Sequence, residues 1–175
     1  RVKLLSDSVM ADLGKEAEKT VEEFMKSAGR NFDLNAAGQA KDKPAFDPNS
    51  KPATAAEAKE RGNFFYKDAQ YTKALDLYSQ AISMCAPDDE DNLKIYHSNR
   101  SAALFGLKRF EESRGDAVKC TEIDSVWAKG WYRKGLAEEG LERYKEAEQS
   151  FRRGVDCAPT DQNLARALQE VKMMI

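Results

Sequence analysis

Residues 128–159 read AKGWYRKGLAEEGLERYKEAEQSFRRGVDCAP. Within them Gly135 is a small residue among helix formers, Tyr144 follows nine positions later, Ala147 and Phe151 form an A-x3-F pair, and Pro159 closes the stretch. The same order occurs upstream as Gly62, Tyr71, Ala74-x3-Tyr78 and Pro87. A third copy lies between them, with Ser101 and Phe110 in register but Ser113 and Ala117 at the paired places. Ser101 precedes Gly135 by 34 residues and follows Gly62 by 39, the five extra falling in the acidic stretch PDDEDN at 87–92. A connecting loop is where an insertion disturbs least.

Self-similarity at this period means stacked units, each made of two short amphipathic helices that cannot bury their apolar faces alone. The fold class expected is therefore all-α. The last unit then needs a cap with a polar outer face. QNLARALQEVKMMI supplies it, with Leu164, Ala167, Leu168, Val171 and Ile175 on one stripe and Gln162, Arg166, Glu170 and Lys172 facing outward. Thr160 or Asp161 suits its N-cap.

The pattern resembles the tetratricopeptide repeat (TPR), a 34-residue helix-turn-helix unit with small and aromatic residues at these offsets. The resemblance implies three repeats (55–91, 94–127 and 128–159) wound into a right-handed superhelix, with a capping helix over 160–175. Arg61, Arg100 and Lys134 stand where the family prefers Leu, and Glu138 where it prefers an aromatic. Ahead of the repeats, Val2, Leu5, Val9, Leu13, Ala17, Val21, Phe24 and Ala28 recur at helical steps, which predicts a long amphipathic helix over 1–30. A linker without regular structure is expected over 31–54, where Pro44, Pro48 and Pro52 fall.

Composition narrows the function. Lys and Arg number 28 against 30 Asp and Glu, so the chain lacks the basic excess of a nucleic-acid binder. No apolar run reaches the roughly 18 residues that span a bilayer, and the first residues lack a signal peptide's pattern, so no membrane insertion and a cytoplasmic location are expected. The chain opens on Arg1, as a fragment would. Cys85, Cys120 and Cys157 are too dispersed for a metal pair and read as reduced apolar fillers. The one histidine, His97, reads as a packed or half-exposed ring, not a ligand or a base. No nucleotide-binding or acyl-transfer motif is present, so we expect no cofactor, no metal and no enzyme activity within the chain.

Numbering each unit from Ala55, Lys94 and Ala128 gives the candidate site. Lys59 and Asn63 take places five and nine of the first unit, Asn99 place six of the second, and Lys129 and Arg133 places two and six of the third. On one helix those places form a single i, i+3, i+4, i+7 stripe, away from the small and aromatic places. Parallel stacking turns five separate residues into one patch. Three cations and two carboxamides with no acid among them suit a peptide end bearing two carboxylates. Each Asn could donate to a carboxylate while accepting from a peptide N–H, and Lys129 and Arg133 could hold a carboxylate by charge-assisted hydrogen bonds. Five such contacts, less the ordering of a flexible tail, correspond to about −7 to −8 kcal/mol, or micromolar affinity.

The five-residue pattern looks like the dicarboxylate clamp of co-chaperone tetratricopeptide domains. KERGN, HSNRSAA and WAKGWYRKG are most similar to the first repeat domain of the Hsp-organising, stress-inducible co-chaperone family. That resemblance implies binding of the C-terminal Glu-Glu-Val-Asp tail of heat-shock protein 70 or heat-shock protein 90. Ala102 and Phe105 would floor a pocket for the ligand's valine, with inter-helix packing as the other reading of Phe105. Trp131 and Tyr132 read as packing residues, Tyr132 being the nearer to the groove. Two alternatives stay open: the targeting domain of a larger enzyme such as a phosphatase or prolyl isomerase, and a scaffold for another peptide.

Overall fold

The structure is a computed structural model that describes residues 46, 47 and 50–175. The helix expected over residues 1–30, and most of the linker after it, lie outside the described residues. Among the described residues there are seven helices and no strand: α1 Ala55–Lys67, α2 Tyr71–Met84, α3 Glu90–Gly106, α4 Phe110–Ile123, α5 Ala128–Gly140, α6 Tyr144–Cys157 and α7 Gln162–Lys172. Each helix packs on the next along the chain. In addition α1 touches α3 and α3 touches α5, so the first helices of successive pairs form a row.

The small residues of the repeat explain how each pair closes. A Cβ on Gly62 would lie 2.6 Å from the Tyr78 ring, and one on Gly135 would lie 2.5 Å from the Phe151 ring. Only a hydrogen lets α1 meet α2, and α5 meet α6, at that distance. In the middle pair Ser101 is tolerated because Ala117 replaces the aromatic. The space is filled by polar contacts, with Ser101 Oγ 2.9 Å from the Ser113 carbonyl and Ser113 Oγ 2.8 Å from the Ser101 carbonyl. This is why the middle copy of the pattern is weaker in sequence without being weaker in fold.

Aromatics nine positions after the first two small residues join one pair to the next. The Tyr71 ring covers Gly106 of α3, and the Phe110 ring covers Gly140 of α5. The turns within pairs share one conformation, with Ala69, Lys108 and Glu142 at φ 55°, 58° and 60°. Each is followed by a hydrogen bond reaching five residues back, from the amides of Gln70, Arg109 and Arg143 to the carbonyls of Phe65, Leu104 and Glu138, all at 2.9 Å. That is the Schellman closure, here without the usual glycine.

The four departures from the family pattern are buried or half-buried, and each has polar partners. Arg61 is 5% exposed, lies over the Phe46 ring at 5.0 Å and donates to the Ser50 carbonyl at 2.6 Å, tying Phe46 and Ser50 to α1. Arg100 grips Asp116 of α4 through Nε and Nη2 at 2.7 and 2.8 Å. His97 adds its Nδ1 at 2.9 Å from the same carboxylate, so the imidazole is packed, as its sequence context suggested. Glu138, 1% exposed, accepts from Ser150 Oγ at 2.6 Å and from Arg114 Nε at 3.2 Å, with Lys134 Nζ at 3.7 Å.

The C-terminal helix caps the stack. Asp161 accepts from the amides of Asn163 and Leu164, and Leu164, Ala167 and Val171 are buried. Leu164 packs onto Gly154 of α6. Ile175, expected on the buried stripe, lies beyond the last helical turn and is 57% exposed.

Candidate functional site

The five candidate residues sit on α1, α3 and α5, the helices that follow one another in the row. Asn63 and Asn99, 36 residues apart, meet directly, with Asn99 Nδ2 3.3 Å from Asn63 Oδ1. The same oxygen accepts from the Tyr78 hydroxyl at 2.8 Å. A carbonyl oxygen has two lone pairs, and both are engaged. The expectation that Asn63 both donates and accepts is corrected: its oxygen is filled from within the fold, and Nδ2 is the end left for a ligand.

Arg133 departs from expectation in its burial. Its place on the stripe away from the core positions predicts an accessible side chain, yet it is only 6% exposed. Burial pushes its guanidinium down, and the groups acting against that are Tyr66, Tyr132, Cys120 and Tyr78. These come from α1, α2, α4 and α5, so the buried cation lies within electrostatic reach of four helices. A cation held away from water interacts more strongly with an incoming carboxylate than one in bulk solvent, and the guanidinium fork matches both oxygens. Lys59 is half-buried one turn before Asn63, and Lys129 is exposed one turn before Arg133. Together the five present donors and positive charge from three helices.

Ala102 is buried and Phe105 half-buried on α3, one and two turns beyond Asn99. The Phe105 ring lies 5.3 Å from that of Phe110, a packing contact between α3 and α4. Tyr132 is half-buried, its ring 6.0 Å from that of Phe151. Trp131 takes the other side of α5: its Nε1 donates to the Ser125 carbonyl at 2.8 Å, and Lys134 lies over its ring. There it borders a hollow of about 810 Å³ with Arg114, Lys134 and Glu138, whose lining does not include Lys129 or Arg133.

Two residues of the site were missed. Tyr66 lies one turn beyond Asn63 and would have been found by extending the stripe to place twelve. Tyr78 had no such signal, because its place holds an aromatic in the repeat pattern whatever its hydroxyl does. Beneath the site Cys120 is buried, and its thiol is pushed up to about 12 by that burial. All three cysteines are unpaired thiols. No helix among the described residues is long and apolar enough to cross a membrane.

Comparison with known proteins places this geometry. A family model described as tetratricopeptide repeat matches residues 128–161. The heat shock protein sti1 homolog of Schizosaccharomyces pombe is 36% identical over 118 residues, which is 67% of this chain and 19% of that protein. Among solved structures, the Arabidopsis OM64 TPR domain is 32% identical with a TM-score of 0.62, covering 69% of this chain and 96% of that one. The myosin chaperone UNC-45 from C. elegans, solved in complex with a Hsp70 peptide, is 29% identical with a TM-score of 0.65 over 70% of this chain and 14% of that one. The row of first helices, the glycine-on-aromatic closures and these likenesses agree: the chain belongs to the tetratricopeptide-repeat family.

Proposed function

We propose that the chain is a recruitment module that holds the acidic C-terminal tail of heat-shock protein 70 or 90, of Glu-Glu-Val-Asp type, and so acts as a cytoplasmic co-chaperone adaptor and not as a catalyst. The clamp is Lys59, Asn63, Asn99, Lys129 and Arg133, carried by repeats 55–91, 94–127 and 128–159 and closed by the cap at 160–175. The observation that carries this reading is the pair of joined carboxamides, Asn63 and Asn99, on the same row of helices as a buried arginine. Donors and positive charge facing one hollow select a dianionic peptide end. The likeness to a repeat protein solved with a Hsp70 peptide, and to the sti1 homolog, supports the choice of tail.

Calorimetric titration with a peptide ending in Glu-Glu-Val-Asp tests it. Micromolar binding is expected, weakening with salt and lost on amidation of the terminal carboxylate. Lys129→Glu, at an exposed position, should abolish binding while leaving the helical circular dichroism unchanged. Equal affinity for the free and amidated peptides would sink the reading.

A further inference from the structure

We propose that Tyr78 is a positioning residue: its hydroxyl fixes which end of the Asn63 carboxamide faces the ligand, and so makes the site prefer a carboxylate over a carboxamide. This rests on the clamp reading above.

The repeat itself separates the ring's role from the hydroxyl's. Tyr78 and Phe151 hold the same place in the first and third pairs, each with its ring against a glycine, Gly62 or Gly135. Phe151 closes its pair without a hydroxyl, and both rings are buried, Tyr78 at 2% and Phe151 at 0% exposure. Packing therefore requires the ring alone. In the first pair the extra hydroxyl donates to Asn63 Oδ1 at 2.8 Å. Burial pushes the phenol well above its ordinary range, so it keeps that proton at any working pH. Turning the Asn63 amide over would leave the buried phenolic hydrogen without its acceptor and set Nδ2 against the Asn99 donor. The amide is thus locked with N–H as its ligand-facing end. Such a group donates to either oxygen of a carboxylate but opposes the NH2 of a carboxamide.

The test uses three peptides: one ending in Glu-Glu-Val-Asp, its C-terminal amide and its Glu-Glu-Val-Asn counterpart. Each is titrated against the wild-type chain, Tyr78→Phe, Asn63→Ala and the double variant. With Tyr78→Phe, affinity for the free acid should fall about fivefold, and the preference over at least one carboxamide peptide should narrow by about tenfold. In the Asn63→Ala background the same substitution should change nothing. Loss of affinity by one common factor for all three peptides would overturn the proposal, as would an undiminished effect of Tyr78→Phe without Asn63. A measurement without ligand stands beside these: the Asn63 side-chain ¹H–¹⁵N pair should move towards unstructured values in Tyr78→Phe, and an unchanged pair also overturns it. If Asn63→Ala leaves peptide affinity intact, the clamp reading fails together with this proposal, a result distinct from the others.

Discussion

Asn99 donates its Nδ2 to Oδ1 of Asn63 at 3.3 Å, a contact between neighbouring repeats across 36 residues of sequence. The two carboxamides are therefore one unit. Asn63→Ala and Asn99→Ala should each weaken binding of a Glu-Glu-Val-Asp peptide by about tenfold. The double substitution should weaken it by less than the product, because each single change already removes the shared bond. A double-mutant cycle by calorimetry checks this, and strict additivity would count against coupling.

The buried carboxylate of Asp116 makes stability depend on acid. Burial alone would raise it, but hydrogen bonds from Arg100 and His97 outweigh that and hold it below the ordinary range. A carboxyl depressed in the folded state stabilises fully above its unfolded value of about 3.9, and that stabilisation is lost as pH falls through the folded value. Asp116→Asn should cost about 3 kcal/mol at pH 7, since it leaves the Arg100 guanidinium without its partner in a half-buried place. Urea denaturation from pH 7 to pH 2 should show the variant with the flatter acid limb.

Glu138 poses the complementary case, with a near-fully buried acid where the family places an aromatic. Glu138→Ala should destabilise by about 3 kcal/mol, because Ser150, Arg114 and Lys134 lose a common acceptor. Lys134→Leu with Glu138→Phe replaces an ion pair by apolar side chains and should recover part of that loss, with only Ser150 and Arg114 still lacking the acceptor. Denaturant midpoints of the three proteins decide it. A double variant as unstable as the single one would mean that the ionic network is required by the packing around it.

At Lys108, exposed and at φ 58°, an L side chain is held in the left-handed region. That conformation costs about 1–2 kcal/mol, against about 0.5–1 kcal/mol of extra chain entropy for glycine. Lys108→Gly should therefore be stabilising by about 0.5 kcal/mol, seen as a rise of roughly 1–2 °C in thermal midpoint. A fall in midpoint would show that the side chain contributes more than the turn costs.

The register of Gly62, Ser101 and Gly135 was enough to predict stacked helix pairs, and the helices follow it, because such spacing leaves each pair an apolar face only a neighbour can cover. The same register put Lys59, Asn63, Asn99, Lys129 and Arg133 on consecutive first helices, since position along a helix sets the face a residue occupies. Sequence could not tell how deep those faces lie. Arg133 is buried, with Tyr66, Tyr78 and Cys120 of α1, α2 and α4 in electrostatic reach, and burial depends on what arrives from elsewhere in the chain. Nor could sequence show that the Asn63 oxygen is already filled, or that Arg100 and Glu138 find buried partners across helices. Those hydrogen bonds join residues 15, 16 and 12 positions apart or more, and only the folded chain brings their atoms within 3 Å.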